Sequence, residues 1–389
     1  MSSLFHLSRR DLLLGSAALA ATTSMPKFGW AAPDPSALAR STKGMVTSPH
    51  DLATRAGLEV LQKGGNAIEA VIAIGATLSV TYPHFCGLGG DAFMVISDRK
   101  GNVRTLSGVG QAAANPPNYT DSVPIRGPGS ALTAAAAVDT WDQAFDFSRK
   151  SWGGKQSWAS LFQRPIEYAR NGFPVTPSQR FWQSFEEKHL KDWPDVRRIY
   201  MADGRMPEVG DKLVQPELAN SLEMLAANGG RDFYEGKLAE RIVAGLKAMG
   251  SPLTADDLAR CRARDEAPLR VKYRGGELLG LRPPTQGITT LEIMGILDRF
   301  DLAKYPEGGV DHYHLMVEAV KRAFIDRNRY IADPEFVDVP VNFLLSKENL
   351  DAHAKSIDLA KAMEWPHVFK KADTVYMAAV DSSGNCVSM

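Results

Sequence analysis

The chain has 389 residues, 44% of them hydrophobic, enough for a sizeable core in one large domain or in two or three ordinary ones. Lys+Arg and Asp+Glu both number 45, so no overall field draws in nucleic acid or an acidic lipid surface. Three scattered cysteines, Cys86, Cys261 and Cys386, are too few for a disulfide framework or a zinc cluster, and their odd count leaves at least one thiol free or intermolecular.

Paired arginines, Arg9-Arg10, precede a short apolar run from Leu12 to Ala21 and small residues up to Gly29-Trp30-Ala31. A charged start, a brief apolar stretch and a small-x-small exit predict a twin-arginine-type signal over residues 1–31 and a periplasmic or secreted product. The run falls short of the about 20 residues that cross a bilayer, and no later segment reads as a membrane span.

Ser48-Pro49-His50-Asp51 predicts a helix start with Ser48 as N-cap and Pro49 in the first turn, and Gly64-Gly65 predicts its end. From Asn66 to about Val80 the next helix is apolar nearly all round, which requires burial on every side and a layered interior. Cys86-Gly87-Leu88-Gly89-Gly90-Asp91 then leads into a β-hairpin, Ala92–Ile96 and Val103–Leu106. The glycine loop precedes a strand and opens no helix, so it is no phosphate-binding motif; close backbone packing is its expected use.

Gly127 to about Gly250 reads as mainly helical: an alanine-rich stretch at Ala131–Val138, then helices near Leu161–Asn171, Pro216–Ala227 and Leu238–Met249. Thr254-Ala255-Asp256-Asp257 is a capping box. Strands are expected near Leu269–Tyr273 and Leu278–Leu281, and a long helix over about Asp311–Ile331. His312, His314, Asp311 and Glu318 lie near that helix start without a placed third ligand, so Glu318, Lys321 and Arg322 read as helix-surface pairing. No metal and no cofactor are expected. Strands at both ends with helices between predict an α+β or layered build.

The last residues read as a strand opening at Asp373-Thr374, a tight turn at Ser383-Gly384-Asn385 and a returning strand to Met389. Together with Gly44-Met45-Val46, Gly57–Leu61, Gly64–Ile68, Gly87-Leu88-Gly89-Gly90, Asn171-Gly172-Phe173-Pro174, Phe233-Tyr234-Glu235-Gly236, Tyr273-Arg274-Gly275 and Pro283-Pro284-Thr285-Gln286-Gly287, this order resembles the γ-glutamyltranspeptidase family. Asp326, Arg327 and Arg329 resemble a family segment that supports the sheet.

The resemblance implies a four-layer αββα N-terminal-nucleophile hydrolase sandwich, C-terminally incomplete here, with residues 32–373 as large subunit and 374–389 as the start of the small one. It implies self-cleavage between Asp373 and Thr374, with Thr374 as nucleophile and, once freed, as α-amine base. The expected activity is hydrolysis or transfer of γ-glutamyl amides such as glutathione. Asp91 and Thr285-Gln286 look closer to oxamate-amidohydrolase-like and acylase-like branches.

Three departures shape that expectation. Gly108-Val109-Gly110-Gln111-Ala112 lacks the arginine with which the family binds a substrate carboxylate, and leaves Gln111 as the candidate substrate contact. No amide replaces a bidentate guanidinium, which puts γ-glutamyl specificity in question and favours another small amide. Val375 stands where the family often has a second threonine. Met389 precedes the family's oxyanion-hole glycines and its further binding residues. One such donor supplies about 10²–10³ in rate, so the chain by itself is expected to be inactive, or to survive as a binding half. Its strand from Thr374 to Val380 is expected to lack sheet partners, leaving it poorly soluble and unprocessed.

Overall fold

The computed structural model describes residues 44–120, 122–201, 204–365 and 374–389. The expected signal segment and Asp373 lie outside the described residues. Strand β1 (Gly44–Thr47) comes first, followed by helices α1 (Asp51–Gln62) and α2 (Ala67–Thr81) and by the hairpin β2 (Ala92–Ser97)–β3 (Val103–Gly108). Helices α3 (Ala137–Ser151) and α4 (Gln163–Asn171) precede a short pairing of β4 (Phe173–Pro174) with β5 (Lys212–Leu213). Then come α5 (Pro216–Asn228), β6 (Arg264–Glu266), β7 (Leu269–Tyr273), β8 (Gly276–Gly280), α6 (Gly287–Leu297), α7 (Val310–Tyr330) and α8 (Lys347–Lys355). The hairpin β9 (Ala378–Asp381)–β10 (Cys386–Ser388) ends the chain.

One six-stranded antiparallel sheet runs β1-β9-β10-β2-β3-β6. The expectation that the strand after Thr374 lacks partners is therefore wrong: β9 sits inside the sheet, paired with β1 on one side and β10 on the other. Its register, Gly44↔Asp381 through Thr47↔Ala378, joins the two ends of the described chain. The regular strand is also shorter than expected, because Thr374–Met377 precede it; the main chains of Met377 and Met389 exchange two 2.9 Å hydrogen bonds that prolong the hairpin.

The inner face of this sheet (Met94, Ile96, Leu106, Ala379, Val387) is buried against α2, and α1 and α4 close over the far side of that helix. All fifteen residues of α2 are buried, as its apolar sequence requires. Its start is held by a capping box in which the Asn66 side chain accepts from Ile68 and Glu69 N–H while Glu69 accepts from Asn66 N–H. Substituting Leu78, fully buried mid-core, with alanine is expected to cost about 2–5 kcal/mol in urea unfolding. The other sheet face leaves Met45, Phe93, Tyr376 and Val380 exposed among the described residues.

Local differences from the sequence reading have local causes. His50, in extended backbone, caps α1 by accepting the Leu52 N–H at Nδ1 (3.2 Å), while the expected cap, Ser48, donates its hydroxyl to His50 O at 2.9 Å. The alanine run is not helical before Ala137. Its Ala134 N–H bonds to Gln111 O, and Leu132 O accepts from Ala113 N–H, so two backbones pass side by side. Small residues permit that approach: a Cβ on Gly110 would lie 1.7 Å from Ala134 O. The helix expected over Leu161–Asn171 splits into Trp158–Leu161 and α4, because Pro165 has no N–H to continue the ladder. The capping box at Thr254 and Asp257 is present as read.

A second core joins the β7–β8 hairpin to α6, α7 and α8. There Glu318 bonds Lys321 (2.8 Å) and Arg322 (2.7 Å) as paired in the sequence, but it is 1% exposed, so this is a buried cluster and not helix-surface pairing. It also accepts the Met363 N–H, and His314 turns to Asp358 O, which leaves no shared metal position for the two. No helix among the described residues is long and apolar enough to cross a membrane.

Candidate active site

Sheet direction brings the site together. β2 and β9 are each antiparallel to β10, so they run the same way and their N-terminal ends lie side by side. The glycine loop before β2, the Thr374–Met377 approach to β9 and Met389 after β10 therefore meet at one end of the sheet. β3 delivers Gly108–Ala112 to the same end, since it runs antiparallel to β2.

A cavity of about 360 Å³ opens there, walled by Cys86, Gly87, Gly90, Asp91, Phe93, Trp141, Thr374, Val375 and Met389 among others. A Cβ added at Gly89 would meet nothing within 4 Å, and at Gly87 or Gly90 nothing nearer than 3.7 Å. Close packing, the expected use of these glycines, is thus not their role; Gly87 and Gly90 keep side-chain bulk out of the cavity wall. Thr374 is exposed on that wall, its hydroxyl 3.5 Å from Val375 O.

The turn Ser382–Asn385 fixes the hairpin that carries Thr374. Gly384 takes φ of 80°, and the buried Asp381 carboxylate accepts the N–H groups of Ser383 and Asn385, the Asn385 side-chain amide and the Ala67 N–H. One carboxylate thereby ties the turn to the N-terminus of α2, where its charge is also favoured by the helix dipole.

The polar groups of the cavity are few. Asp91 accepts the Gly110 N–H at 3.0 Å and so locks the glycine loop to the loop after β3. Desolvation by the surrounding walls raises its carboxyl above the ordinary range, opposed by the Gly110 and Ala136 N–H groups, although its outer side meets solvent. Trp141 is 3% exposed, and its indole N–H has no hydrogen-bond partner among the described residues. Burial pushes the Cys86 thiol up to about 12, which keeps it protonated and unreactive at neutral pH.

No arginine or lysine is among the described residues lining the cavity. Gln111 is not among them either. Its amide donates to Val109 O at 2.8 Å and accepts the Arg262 N–H at 3.1 Å, so both ends are engaged. Asp91 and Trp141 were not singled out as site residues by sequence. Asp91 had a signal, as the acid that ends the glycine loop; a tryptophan on an amphipathic helix reads only as core.

Residues 53–389 match the gamma-glutamyltranspeptidase family. The chain belongs to that family. An oxamate amidohydrolase proenzyme of Klebsiella pneumoniae is 41% identical over 352 residues, covering 90% of this chain and 66% of the relative. A glutathione hydrolase-like proenzyme of Bacillus subtilis is 38% identical over 353 residues, covering 89% and 66%. Among solved structures, the cephalosporin acylase of Bacillus halodurans superposes with a TM-score of 0.80 at 30% identity, over 94% of this chain and 68% of that one. The chain thus spans about two thirds of the length of these curated relatives. This gamma-glutamyltranspeptidase family member has the α+β N-terminal-nucleophile hydrolase fold, and the sheet described above is one of its β layers.

Proposed function

We propose that this protein is a threonine amidohydrolase acting on a small amide, matured by cleavage of its own chain between Asp373 and Thr374. The observation that carries the reading is Thr374 on the wall of a cavity whose other side is the glycine loop. In maturation, Thr374 Oγ attacks the Asp373 carbonyl carbon, the peptide C–N bond breaks, and an ester joins Asp373 to Oγ while the amine stays on Thr374. Water then hydrolyses that ester, leaving residues 32–373 and the segment from 374 as separate subunits, with residues 1–31 as the export signal.

A threonine hydroxyl needs a base. The freed α-amine supplies one on the same residue, with an ordinary pKa of about 7.7–8.0 against about 10.4 for lysine. In turnover the amine takes the Oγ proton, Oγ attacks the substrate carbonyl, and the amine substituent leaves carrying that proton. Water resolves the acyl-enzyme. Because the neutral amine is the working form, kcat/KM is expected to fall about tenfold per unit as pH drops below the amine pKa, and to level above it. A rate that rises toward acid would contradict the base.

The cavity composition favours a small uncharged amide over a γ-glutamyl amide such as glutathione; oxamate, the substrate in the name of the Klebsiella relative, is equally small but carries a carboxylate of its own. Without a guanidinium or ammonium on its described walls, the cavity offers an α-carboxylate no charged partner. Trp141 N–H and the Asp91 carboxyl instead suit a compact neutral acyl group. Initial rates on small neutral amides, on oxamate and on a γ-glutamyl anilide test this. Equal or faster turnover of the anilide would overturn the substrate assignment while leaving the nucleophile in place.

A further inference from the structure

We propose that Glu292 on α6, Asp326 on α7 and His353 on α8 form a binding site for a divalent transition cation, zinc or manganese, in the second core. Their ligand atoms all lie within 4.8 Å of one another. Glu292 is 1% exposed and Asp326 8%, so two carboxylates are held together out of water. His353 Nε2 lies 2.8 Å from Asp326 Oδ2 and 3.5 Å from Glu292 Oε1. Two carboxylate oxygens and one imidazole nitrogen are a donor set that suits Zn²⁺ or Mn²⁺, which bind such atoms at about 2.0–2.2 Å.

Two neighbours extend the set. The Asn349 side-chain nitrogen lies 3.3 Å from Glu292 Oε1, 3.2 Å from Asp326 Oδ2 and 3.2 Å from Leu344 O, three acceptors for two hydrogens. Turned over, the same amide would present its oxygen to a cation as a neutral fourth ligand. Thr289 stands one helical turn before Glu292 and is 3% exposed, with a hydroxyl that has no partner among the described residues. Residues three apart share one face of a helix, so Thr289 lies on the face of α6 that carries Glu292. That hydroxyl is available to a water in the cation's outer shell. The Asn349 amide and the His353 ring are the groups set between the two carboxylates. A cation held there would clamp three helices, the last of which precedes the segment that leads to Thr374.

The test uses the purified full chain, stripped with a chelator and dialysed against ZnCl₂, MnCl₂ or MgCl₂ in turn. The expected result is one equivalent of zinc or manganese retained per chain, with a rise in melting temperature of about 5 °C at a hundredfold excess over Kd. His353→Ala and Glu292→Gln should each weaken binding at least tenfold, and Co²⁺ should give visible d–d absorption that His353→Ala removes. Failure of the wild-type chain to retain any equivalent above background, or retention unchanged in both variants, would overturn the site. The wild-type dialysis does not depend on either variant folding.

Discussion

Replacing Thr374 with alanine is expected to reduce amide turnover by about 10⁴-fold or more, with the fold intact. The size follows from removing nucleophile and base together: in enzymes whose catalytic groups act as a unit, losing the nucleophile alone costs about as much as losing them all. Among the described residues the exposed hydroxyl makes only a 3.5 Å contact with Val375 O, so its loss should leave melting temperature unchanged. Thr374→Ser keeps an oxygen and an amine on one residue and should retain a measurable fraction of the wild-type rate. Side-by-side initial rates and melts decide the matter. An alanine variant that keeps a tenth of the activity would remove Thr374 from the chemistry.

Asp381→Ala is expected to be the most damaging single change to the scaffold of the site, at about 3–5 kcal/mol. The carboxylate is 6% exposed and accepts hydrogen bonds from Ala67, Ser383 and Asn385, the last through both backbone and side chain. Deleting it strands the buried Ala67 N–H and three part-buried donors of the turn, at about 1–3 kcal/mol for each that water does not reach. It also frees the β9–β10 hairpin from the start of α2. Urea denaturation measures the loss; a change below 1 kcal/mol would mean that the turn holds itself.

Much of this arrangement was legible in the residues because the signals were local. The apolar run of α2 demanded burial on all sides, Asn66 and Glu69 announced its cap, and the alternation before Asp98 and after Asn102 announced a hairpin. Signals failed where a distant backbone decided. Ala131–Ala136 has helical propensity, yet its small side chains serve a close pass against Gly110–Ala113. Ser48 has the better capping residue type, yet the extended backbone at His50 gives the cap to the imidazole. β9 acquires its partner from β1, more than three hundred residues earlier, a pairing that no local pattern encodes.

The site was half legible for the same reason. Thr374 was visible through its resemblance to a family motif, and the glycine loop through composition. That the two face each other follows only from β2 and β9 running the same way on either side of β10. Glu292, Asp326 and His353 come from three helices, and nothing in their spacing marks them as a cluster.

The central claim is that the working protein begins its catalytic segment at Thr374. Intact-mass and N-terminal analysis of any preparation that hydrolyses small amides tests it most directly. The account predicts a break between Asp373 and Thr374 in proportion to activity, with Thr374 as the new N-terminus. Full activity from a chain in which that bond is unbroken would contradict it.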